Sequence, residues 1–342
     1  MKILQYMSNS YPNISIIIPV YGVEAYIEDC LKSVICQDYQ GEIECVIVND
    51  CTPDKSIEIA KQVLKQYSGK ICFKILEHKK NGGLSAARNT GIAYSSGDYI
   101  YLLDSDDEIT PDCISVLSEP LKDKQYDMVI ANYTVTGTTK KFPGLRINGE
   151  HLNRDVIADS YTKAEWYQMA VNKLYSAKFI RENNLSFKEG IIHEDELWSA
   201  EVASLISSLY AIKDKSTYIY KVREKDSITA HSSIRKKIDV LKDIITYFRQ
   251  FIDEKSLIND KVTLRLMKHL FYIPLWLSAK IDKKETFETY KECKKRLSLN
   301  SWALLFASGF NFKVLLRDFH FVMPISIAKH LYWHEIHLLR KL

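Results

Sequence analysis

The stretch Tyr99-Ile-Tyr-Leu-Leu-Asp104-Ser-Asp106-Asp107-Glu108 indicates the fold most directly, because a short apolar run leads straight into a cluster of acidic residues. Short apolar runs bounded by polar residues are typical of buried strands. Clustered carboxylates supply the hard oxygen ligands that Mg²⁺ and Mn²⁺ prefer, and such ions bridge carboxylates to a diphosphate. The stretch therefore predicts a divalent-metal site at the carboxyl edge of a sheet.

Three further apolar runs precede this one and alternate with segments of helical periodicity. Strands are predicted over 14–21, 43–50, 71–76 and 99–103, with helices over 24–36, 54–67 and 84–95. We expect Thr52 to cap the second helix and Pro53 to lie in its first turn. This alternation predicts an α/β unit with a largely parallel sheet, in which ligands bind beyond the carboxyl ends of the strands. Another strand is predicted over 126–133, a loop or hairpin over 138–160, and helices from about 234 onward.

The composition is that of an ordinary globular chain, with 46% hydrophobic and 26% charged residues among 342. The first residues lack the order of a signal peptide, and no apolar run is long enough to predict a transmembrane helix. Seven cysteines form no C-x-x-C pair, and their odd number favours a reducing compartment. These features predict a cytoplasmic protein.

Charge is distributed unevenly along the chain. Residues 231–342 contain 21 Lys+Arg and 11 Asp+Glu, a balance of +10, whereas residues 1–230 contain 26 and 32, a balance of −6. The acidic N-terminal part suits cation binding and catalysis, and the basic C-terminal part suits contact with an anionic surface.

Five motifs occur in a recognisable order. They are Ile16-Ile-Ile-Pro-Val-Tyr21, Val46-Ile-Val-Asn-Asp50, Asn81-Gly-Gly-Leu-Ser-Ala-Ala-Arg-Asn-Thr-Gly91, the stretch from Gly97 to Asp106, and His193-Glu-Asp195. Over roughly 14–230 the chain resembles a family 2 glycosyltransferase of the bacterial polysaccharide-assembly type. The resemblance implies an α/β, GT-A (Rossmann-like) nucleotide-sugar domain with a mostly parallel central sheet, plus a C-terminal helical region. It further implies that the chain divides into a nucleotide-sugar-binding part (1–120), an acceptor-side part with the catalytic base (121–232) and a basic, aromatic-rich helical part (233–342).

The resemblance implies a UDP-sugar donor. Asp50 would accept a hydrogen bond from uracil N3–H and so reject cytosine, whose N3 is an acceptor; a helix N-cap is the alternative role. Arg88 would use its planar donors on base, ribose or phosphate, with a surface ion pair as the alternative. The other residues expected to contact the nucleotide sugar are Pro19, Tyr21, Glu24, Gly83, Asp104, Ser105, Arg223 and Ser227.

Asp104-Ser-Asp106 matches the D-x-D motif of the family. It implies Mn²⁺ or Mg²⁺ bound by Asp106, with Asp104 and His231 as further ligands, to stabilise the negative charge of the leaving nucleoside diphosphate. Asp107 is expected to be a loop acid. A capped turn before Thr110-Pro111 is the structural alternative for the cluster.

The His193-Glu-Asp195 segment aligns with the catalytic base of the family. Asp195 would take the proton of an acceptor hydroxyl as its oxygen attacks the anomeric carbon, and Glu194 is the second candidate. A single base implies one in-line displacement and therefore inversion. Glu196 is expected to begin the next helix.

Eight aromatic residues lie among basic residues in 301–342. They are Trp302, Phe306, Phe310, Phe312, Phe319, Phe321, Tyr332 and Trp333. This mixture predicts an in-plane anchor on the inner, anionic face of the cell membrane, while a core extension or a homodimer interface remains the alternative. No nucleic-acid motif accompanies it.

Family analogy suggests a lipid-linked saccharide acceptor in surface polysaccharide synthesis. Two other functions are weighed against this transferase. A haloacid dehalogenase-type phosphohydrolase also has D-x-D after a strand, but Glu108 stands where that family usually has Thr or Val. A non-catalytic nucleotide-sugar-binding or membrane scaffold protein would need neither Asp106 nor Asp195.

Overall fold

The computed structural model describes residues 11–222 and 233–339, with side chains as far as Glu335. These residues form two compact units, one made of 11–190 and 206–222, the other of 191–205 and 233–339. The segment that contains Asp195 therefore belongs to the unit of C-terminal helices. The three-part division inferred from sequence stays a prediction.

The first unit is built on a nine-stranded sheet. Its strands are β1 (Ile14–Val20), β2 (Ile43–Asn49), β3 (Cys72–Glu77), β4 (Tyr99–Leu102), β5 (Glu108–Ile109), β6 (Met128–Thr136), β7 (Gly149–His151), β8 (Lys173–Ser176) and β9 (Leu209–Lys221). The order across the sheet is β3-β2-β1-β4-β8-β6-β9-β5, and β7 pairs with β9.

The half of the sheet that carries the motifs is parallel. β1 pairs in parallel with β2 and β4, and β2 pairs in parallel with β3. β1 is buried at all seven positions, as expected for an apolar strand covered on both faces. β8 is antiparallel to β4 and β6, but the longer pairings are the parallel ones. The predicted mixed α/β fold with a mostly parallel central sheet is confirmed.

Six helices are described in the first unit: α1 (Ile27–Ile35), α2 (Ser56–Lys65), α3 (Leu84–Tyr94), α4 (Cys113–Ser118), α5 (Arg154–Thr162) and α6 (Ala177–Glu182). α3 approaches β1 closely at Gly91, where an added Cβ would lie 2.3 Å from Cγ2 of Ile17. Only glycine fits this contact, which sets α3 directly on the sheet.

Two expectations about these helices are wrong. α2 begins at Ser56, and Thr52 does not cap it; the Thr52 hydroxyl accepts a hydrogen bond from the Gly22 amide (2.9 Å) and donates one to Asp54 (2.6 Å), so it connects the loops after β1 and β2. The segment 138–160 is more than the predicted loop or hairpin, because it contains β7, which pairs with β9, and the start of α5. Asn153 caps α5 by accepting a hydrogen bond from the Val156 amide. The many polar residues of α5 hide its short apolar face from a reading of periodicity.

The second unit is helical as predicted. Its helices are α7 (Glu194–Leu205), α8 (Ile234–Glu254), α9 (Lys261–Ser278), α10 (Lys283–Leu297), α11 (Ser301–Phe306), α12 (Phe312–Asp318) and α13 (Ile325–Leu339), with a 3₁₀ turn at Phe319–Val322. In its core the buried ring of Phe271 contacts those of Tyr290 and Phe321. In the described part of the chain, no helix has both the length and the apolarity that crossing a bilayer requires.

Candidate active site

Three carboxylates converge just beyond the end of β4. One oxygen each of Asp104, Asp106 and Asp107 lies within 4.8 Å of the others, because the Asp107 amide donates to the Asp104 carbonyl (3.1 Å) and turns the chain back. Asp104 and Asp106 are half-buried, whereas Asp107 and Ser105 are buried. Oxygen ligands grouped in this way suit a hard divalent cation.

Asp107 secures this cluster to the sheet. Its carboxylate accepts hydrogen bonds from the Tyr218 hydroxyl (2.7 Å) and the Lys221 amide (2.8 Å), both in β9. Burial, and then the charges of Asp106 and Asp104, raise the pKa of Asp107 to about 8. The description of Asp107 as a loop acid understated its role, since its partners lie more than a hundred residues away.

Arg88 lies beneath the cluster on α3. Its side chain is 1% exposed, its Nη2 donates to Oδ1 of Asp104 (2.8 Å), and its guanidinium carbon lies 5.0 Å from the ring centre of Phe187. Asn89 fixes the Phe187 backbone with two hydrogen bonds, to its carbonyl (2.9 Å) and from its amide (2.8 Å). A surface ion pair is therefore wrong for Arg88: the pair is buried on the arginine side and orients Asp104.

Asp50 is buried at the end of β2 and organises the turn before α3. Its carboxylate accepts hydrogen bonds from the amides of Gly82 (2.8 Å) and Gly83 (2.7 Å), and Nδ1 of His78 lies 2.7 Å from Oδ1. It does not cap α2, so the N-cap alternative is wrong. A carboxylate has about four acceptor positions, so roughly one remains for a ligand. Contact with uracil stays a prediction.

Gly83 is the N-cap of α3, with φ 86° and ψ 169°. This region of backbone space is accessible almost only to glycine. Since Gly83 binds Asp50 and α3 carries Arg88, a continuous series of contacts leads from the end of β2 to Asp104. His78 belongs to this series, with Nε2 2.9 Å from the Thr90 hydroxyl, and no motif in the sequence had singled it out.

The remaining residues expected at the donor site lie at the end of β1 or outside the described residues. Pro19 is buried within β1, Tyr21 is half-exposed just after it, and Glu24 accepts a hydrogen bond from the Lys55 amide (3.1 Å). An exposed tyrosine at the carboxyl end of a strand is available for stacking on a base. Three other expected residues fall outside the described ranges: Arg223, Ser227 and His231.

A second acidic group begins α7 in the other unit. Glu194, Asp195 and Glu196 form the first turn of the helix, where the helix dipole favours carboxylates. His193 precedes them with a left-handed φ of 59°, and its carbonyl accepts a hydrogen bond from the Glu196 amide (3.1 Å). Burial, then the charge of Lys237, lowers the pKa of His193, which favours the neutral imidazole.

Glu196 is the least expected member of this group. One of its carboxyl oxygens is buried without a hydrogen-bond partner among the described residues. Burial, then the charge of Asp195, raises its pKa to about 7. Groups with such shifted pKa values are concentrated at functional sites. In the sequence, the apolar Leu197 and Trp198 that follow were the only sign that Glu196 faces the interior.

Part of the chain matches a known protein family. Residues 15–183 match the sequence profile described as Glycosyl transferase family 2. Glycosyltransferase GlyA of Streptococcus pneumoniae is 33% identical over 62% of this chain and 31% of its own length. Poly(ribitol-phosphate) beta-N-acetylglucosaminyltransferase TarP of Staphylococcus aureus is 28% identical over 65% of this chain and 66% of its own. The chain thus spans less than a third of the length of GlyA.

A solved structure agrees with the fold. Residues 1–349 of S. aureus TarS, in complex with UDP-GlcNAc, superpose with a TM-score of 0.67 at 16% identity, covering 95% of this chain and 92% of that one. The match of residues 15–183 to the glycosyl transferase profile shows that the haloacid dehalogenase alternative is wrong. With a matching profile over four of the five motifs, a GT-A sheet and a helical C-terminal region, the chain belongs to glycosyl transferase family 2.

Proposed function

We propose that this chain is an inverting, divalent-metal-dependent glycosyltransferase that moves a sugar from a UDP-sugar to a hydroxyl of a saccharide acceptor. The observation that carries the proposal is the series of contacts from Asp50 through Gly83 and α3 to Arg88 and Asp104. It sets a buried hydrogen-bonding residue and a carboxylate cluster at the carboxyl edge of one parallel sheet, where such folds bind nucleotides.

Asp106 and Asp104 would hold the metal, as Mn²⁺ or Mg²⁺. The fit is supported by three carboxylate oxygens within 4.8 Å of one another. Burial is the main cause of the raised pKa of Asp107, and the charges of Asp106 and Asp104 add to it, as expected where neighbouring acids lack a cation. A bound ion would supply electrostatic stabilisation of the departing diphosphate. Arg88 keeps Asp104 oriented, and Tyr218 keeps Asp107 in place.

A uridine donor is favoured by the one acceptor position left on Asp50, which suits N3–H of uracil. The relatives agree: TarS was solved with UDP-GlcNAc, and TarP is named for N-acetylglucosaminyl transfer. We assign hexosyl or N-acetylhexosaminyl transfer to this chain, and these names favour the latter.

Asp195 would act as the base that accepts the proton of the acceptor hydroxyl, with Glu194 as the second candidate. Asp195 lies in the first turn of α7, where the helix dipole favours a carboxylate. One base and no covalent nucleophile give inversion at the anomeric carbon.

The acceptor is proposed to be a lipid-linked saccharide in surface polysaccharide synthesis. Two relatives support a polymer acceptor: TarP is named for transfer to poly(ribitol-phosphate), and GgaB of Bacillus subtilis for minor teichoic acid biosynthesis. We place the reaction in the cytoplasm, since all seven cysteines are free thiols and suit a reducing compartment.

The proposal is tested by calorimetry with UDP, GDP and CDP, each with Mn²⁺ or with EDTA. We expect selective, metal-dependent UDP binding, lost in Asp106→Asn and retained in Glu108→Gln, a control for the loss of a neighbouring acid. Transfer from UDP-GlcNAc, followed by NMR of the product anomer, then tests inversion.

Other outcomes are equally informative. Preference for GDP would contradict the role of Asp50, and retention of configuration would contradict the single base. Absence of nucleotide binding would favour the non-catalytic scaffold.

A further inference from the structure

A protruding group of apolar side chains stands at the turn between α11 and α12. We call it the aromatic tip and define it by Trp302, Phe306, Phe310, Phe312 and Leu316. Phe310 is 87% exposed, Phe312 77%, Leu316 68% and Trp302 59%. Large apolar side chains are seldom grouped at such exposure unless the surface has a partner.

The backbone fixes the tip in place. Asn300 caps α11, and Asn311 caps α12 by accepting hydrogen bonds from the amides of Lys313 (3.1 Å) and Val314 (3.3 Å). Gly309 turns the chain between the two helices with a left-handed φ of 74°. The tip is therefore the apex of a defined turn.

The side chains form two continuous rows. The ring of Phe306 stacks on that of Trp302 (centroids 6.3 Å apart) and contacts that of Phe310 (5.5 Å). Phe312 and Leu316 are four residues apart on α12 and so share one face of that helix. The two rows flank the turn and form a narrow apolar edge.

A buried ion-pair network joins α12 to α9. Asp318 is fully buried and accepts hydrogen bonds from Lys268 (2.5 Å) and Tyr272 (2.8 Å) of α9, and from Nε of Arg317 (2.7 Å). Displacement of α12 would separate the buried Asp318 carboxylate from Lys268 and Tyr272, which is strongly unfavourable.

Along the chain on either side of the tip, the exposed charges have one sign. From residue 299 to residue 334, Asp318 is the only acid, and it is buried and paired, whereas Lys313, Arg317 and Lys329 are basic. The Arg317 side chain remains 40% exposed. The surface therefore combines protruding aromatic rings with cations and has no exposed carboxylate in this stretch.

We propose that the aromatic tip inserts into the headgroup region of an anionic lipid bilayer and binds the protein to the membrane surface. Aromatic rings inserted at that depth, with cations beside anionic headgroups, are the two components of interfacial binding. A two-fold homodimer through the same edge is less favourable, because it would bring identical cations face to face. The inference is independent of the transferase chemistry, since it concerns only α11, α12 and their support.

The test is co-sedimentation of the full chain with vesicles of phosphatidylglycerol and phosphatidylcholine in equal parts, and with pure phosphatidylcholine. We expect binding to the anionic vesicles that weakens with salt. Phe310→Ser/Phe312→Ser should lower the partition coefficient at least about tenfold, and Lys313→Gln about fivefold. Tyr94→Ser, which removes an exposed aromatic from the other unit, is the matched control and should bind like the unsubstituted chain.

Unchanged partition of the double variant would overturn the proposal, as would equal binding to neutral vesicles. Sedimentation velocity of the unsubstituted chain and of the double variant shows whether the tip instead forms a homodimer. A dimer that the double variant dissociates, with no vesicle binding by either protein, would also overturn it. Thermal unfolding of the double variant and its UDP affinity establish that the fold and donor site are intact.

Discussion

The hydroxyl of Tyr218 donates a 2.7 Å hydrogen bond to Oδ2 of Asp107, although 111 residues separate them along the chain. This contact connects the acidic loop after β4 to β9, where Asp107 is buried, and burial raises the pKa of its carboxyl group. Two interactions therefore hold the cluster. The neutral Tyr218 hydroxyl binds Asp107, whose raised pKa favours the protonated carboxyl group, and Arg88 binds Asp104.

The raised pKa of Asp107 predicts a pH-dependent stability. The pKa is about 8 in the folded protein against an ordinary 3.8, so the folded state binds a proton that the unfolded chain has released. The resulting stabilisation is complete below about pH 4 and declines as the pH rises to about 8. In EDTA, Asp107→Asn should flatten the decline of the melting temperature between pH 5 and pH 8, measured by differential scanning calorimetry.

Glu108→Gln is the control for that experiment, because it changes the adjacent acid and keeps Asp107. It should decline with pH as the unsubstituted protein does. An identical slope in Asp107→Asn would show that another group, such as Glu196 with its pKa of about 7, dominates.

Replacing Arg88 should affect both stability and donor binding. Arg88→Met removes the hydrogen bond to Asp104, and a bond of this charged kind contributes about 1.5–3 kcal/mol. Urea unfolding should show a loss of that size, and calorimetry should show weaker Mn²⁺-dependent UDP binding because Asp104 loses its orientation. Arg88→Lys should recover little, since lysine lacks the planar donors.

Arg181→Met is the matched control, because Arg181 donates instead to the Ser95 carbonyl (2.8 Å) away from the carboxylates. It should lower stability and leave UDP affinity unchanged. Equal loss of UDP affinity in both variants would indicate general destabilisation in place of a positioning role for Arg88.

Asp195→Asn should abolish transfer and preserve donor binding. Loss of a general base lowers the rate by about 10²–10⁴-fold, whereas the UDP dissociation constant should stay within about twofold. Steady-state kinetics and calorimetry on the same preparation provide the comparison. Glu194→Gln is the neighbouring control, and a larger rate loss there than in Asp195→Asn would reassign the base.

Gly83→Ala should destabilise the protein through the backbone alone. No atom lies within 4 Å of the added Cβ, but φ 86° with ψ 169° costs a non-glycine residue about 1–3 kcal/mol. Urea unfolding should show this loss, together with weaker UDP binding as the Asp50 contacts loosen. In Gly91→Ala, by contrast, the added Cβ would collide with the side chain of Ile17. An unchanged free energy of unfolding in Gly83→Ala would contradict the assigned backbone strain.

Much of the parallel half of the sheet and of the site at its carboxyl edge could be predicted from the sequence. The four motif-bearing strands, α3 and the acidic end of β4 are encoded by contiguous residues, because short apolar runs, turn glycines and clustered acids act locally. The start of α2 and the existence of α5 escaped prediction, since each depends on which polar side chain captures a backbone amide.

The sequence by itself determined the family, the order of the four motif-bearing strands and the helices between them, and which acids could carry the chemistry. Only the tertiary structure decided that Asp50 organises Gly82 and Gly83, that Arg88 is buried against Asp104, and that Asp107 depends on Tyr218. The physical reason is that burial and hydrogen bonding between residues far apart in the chain set the orientation and the pKa of each group. No local pattern of residues contains that information.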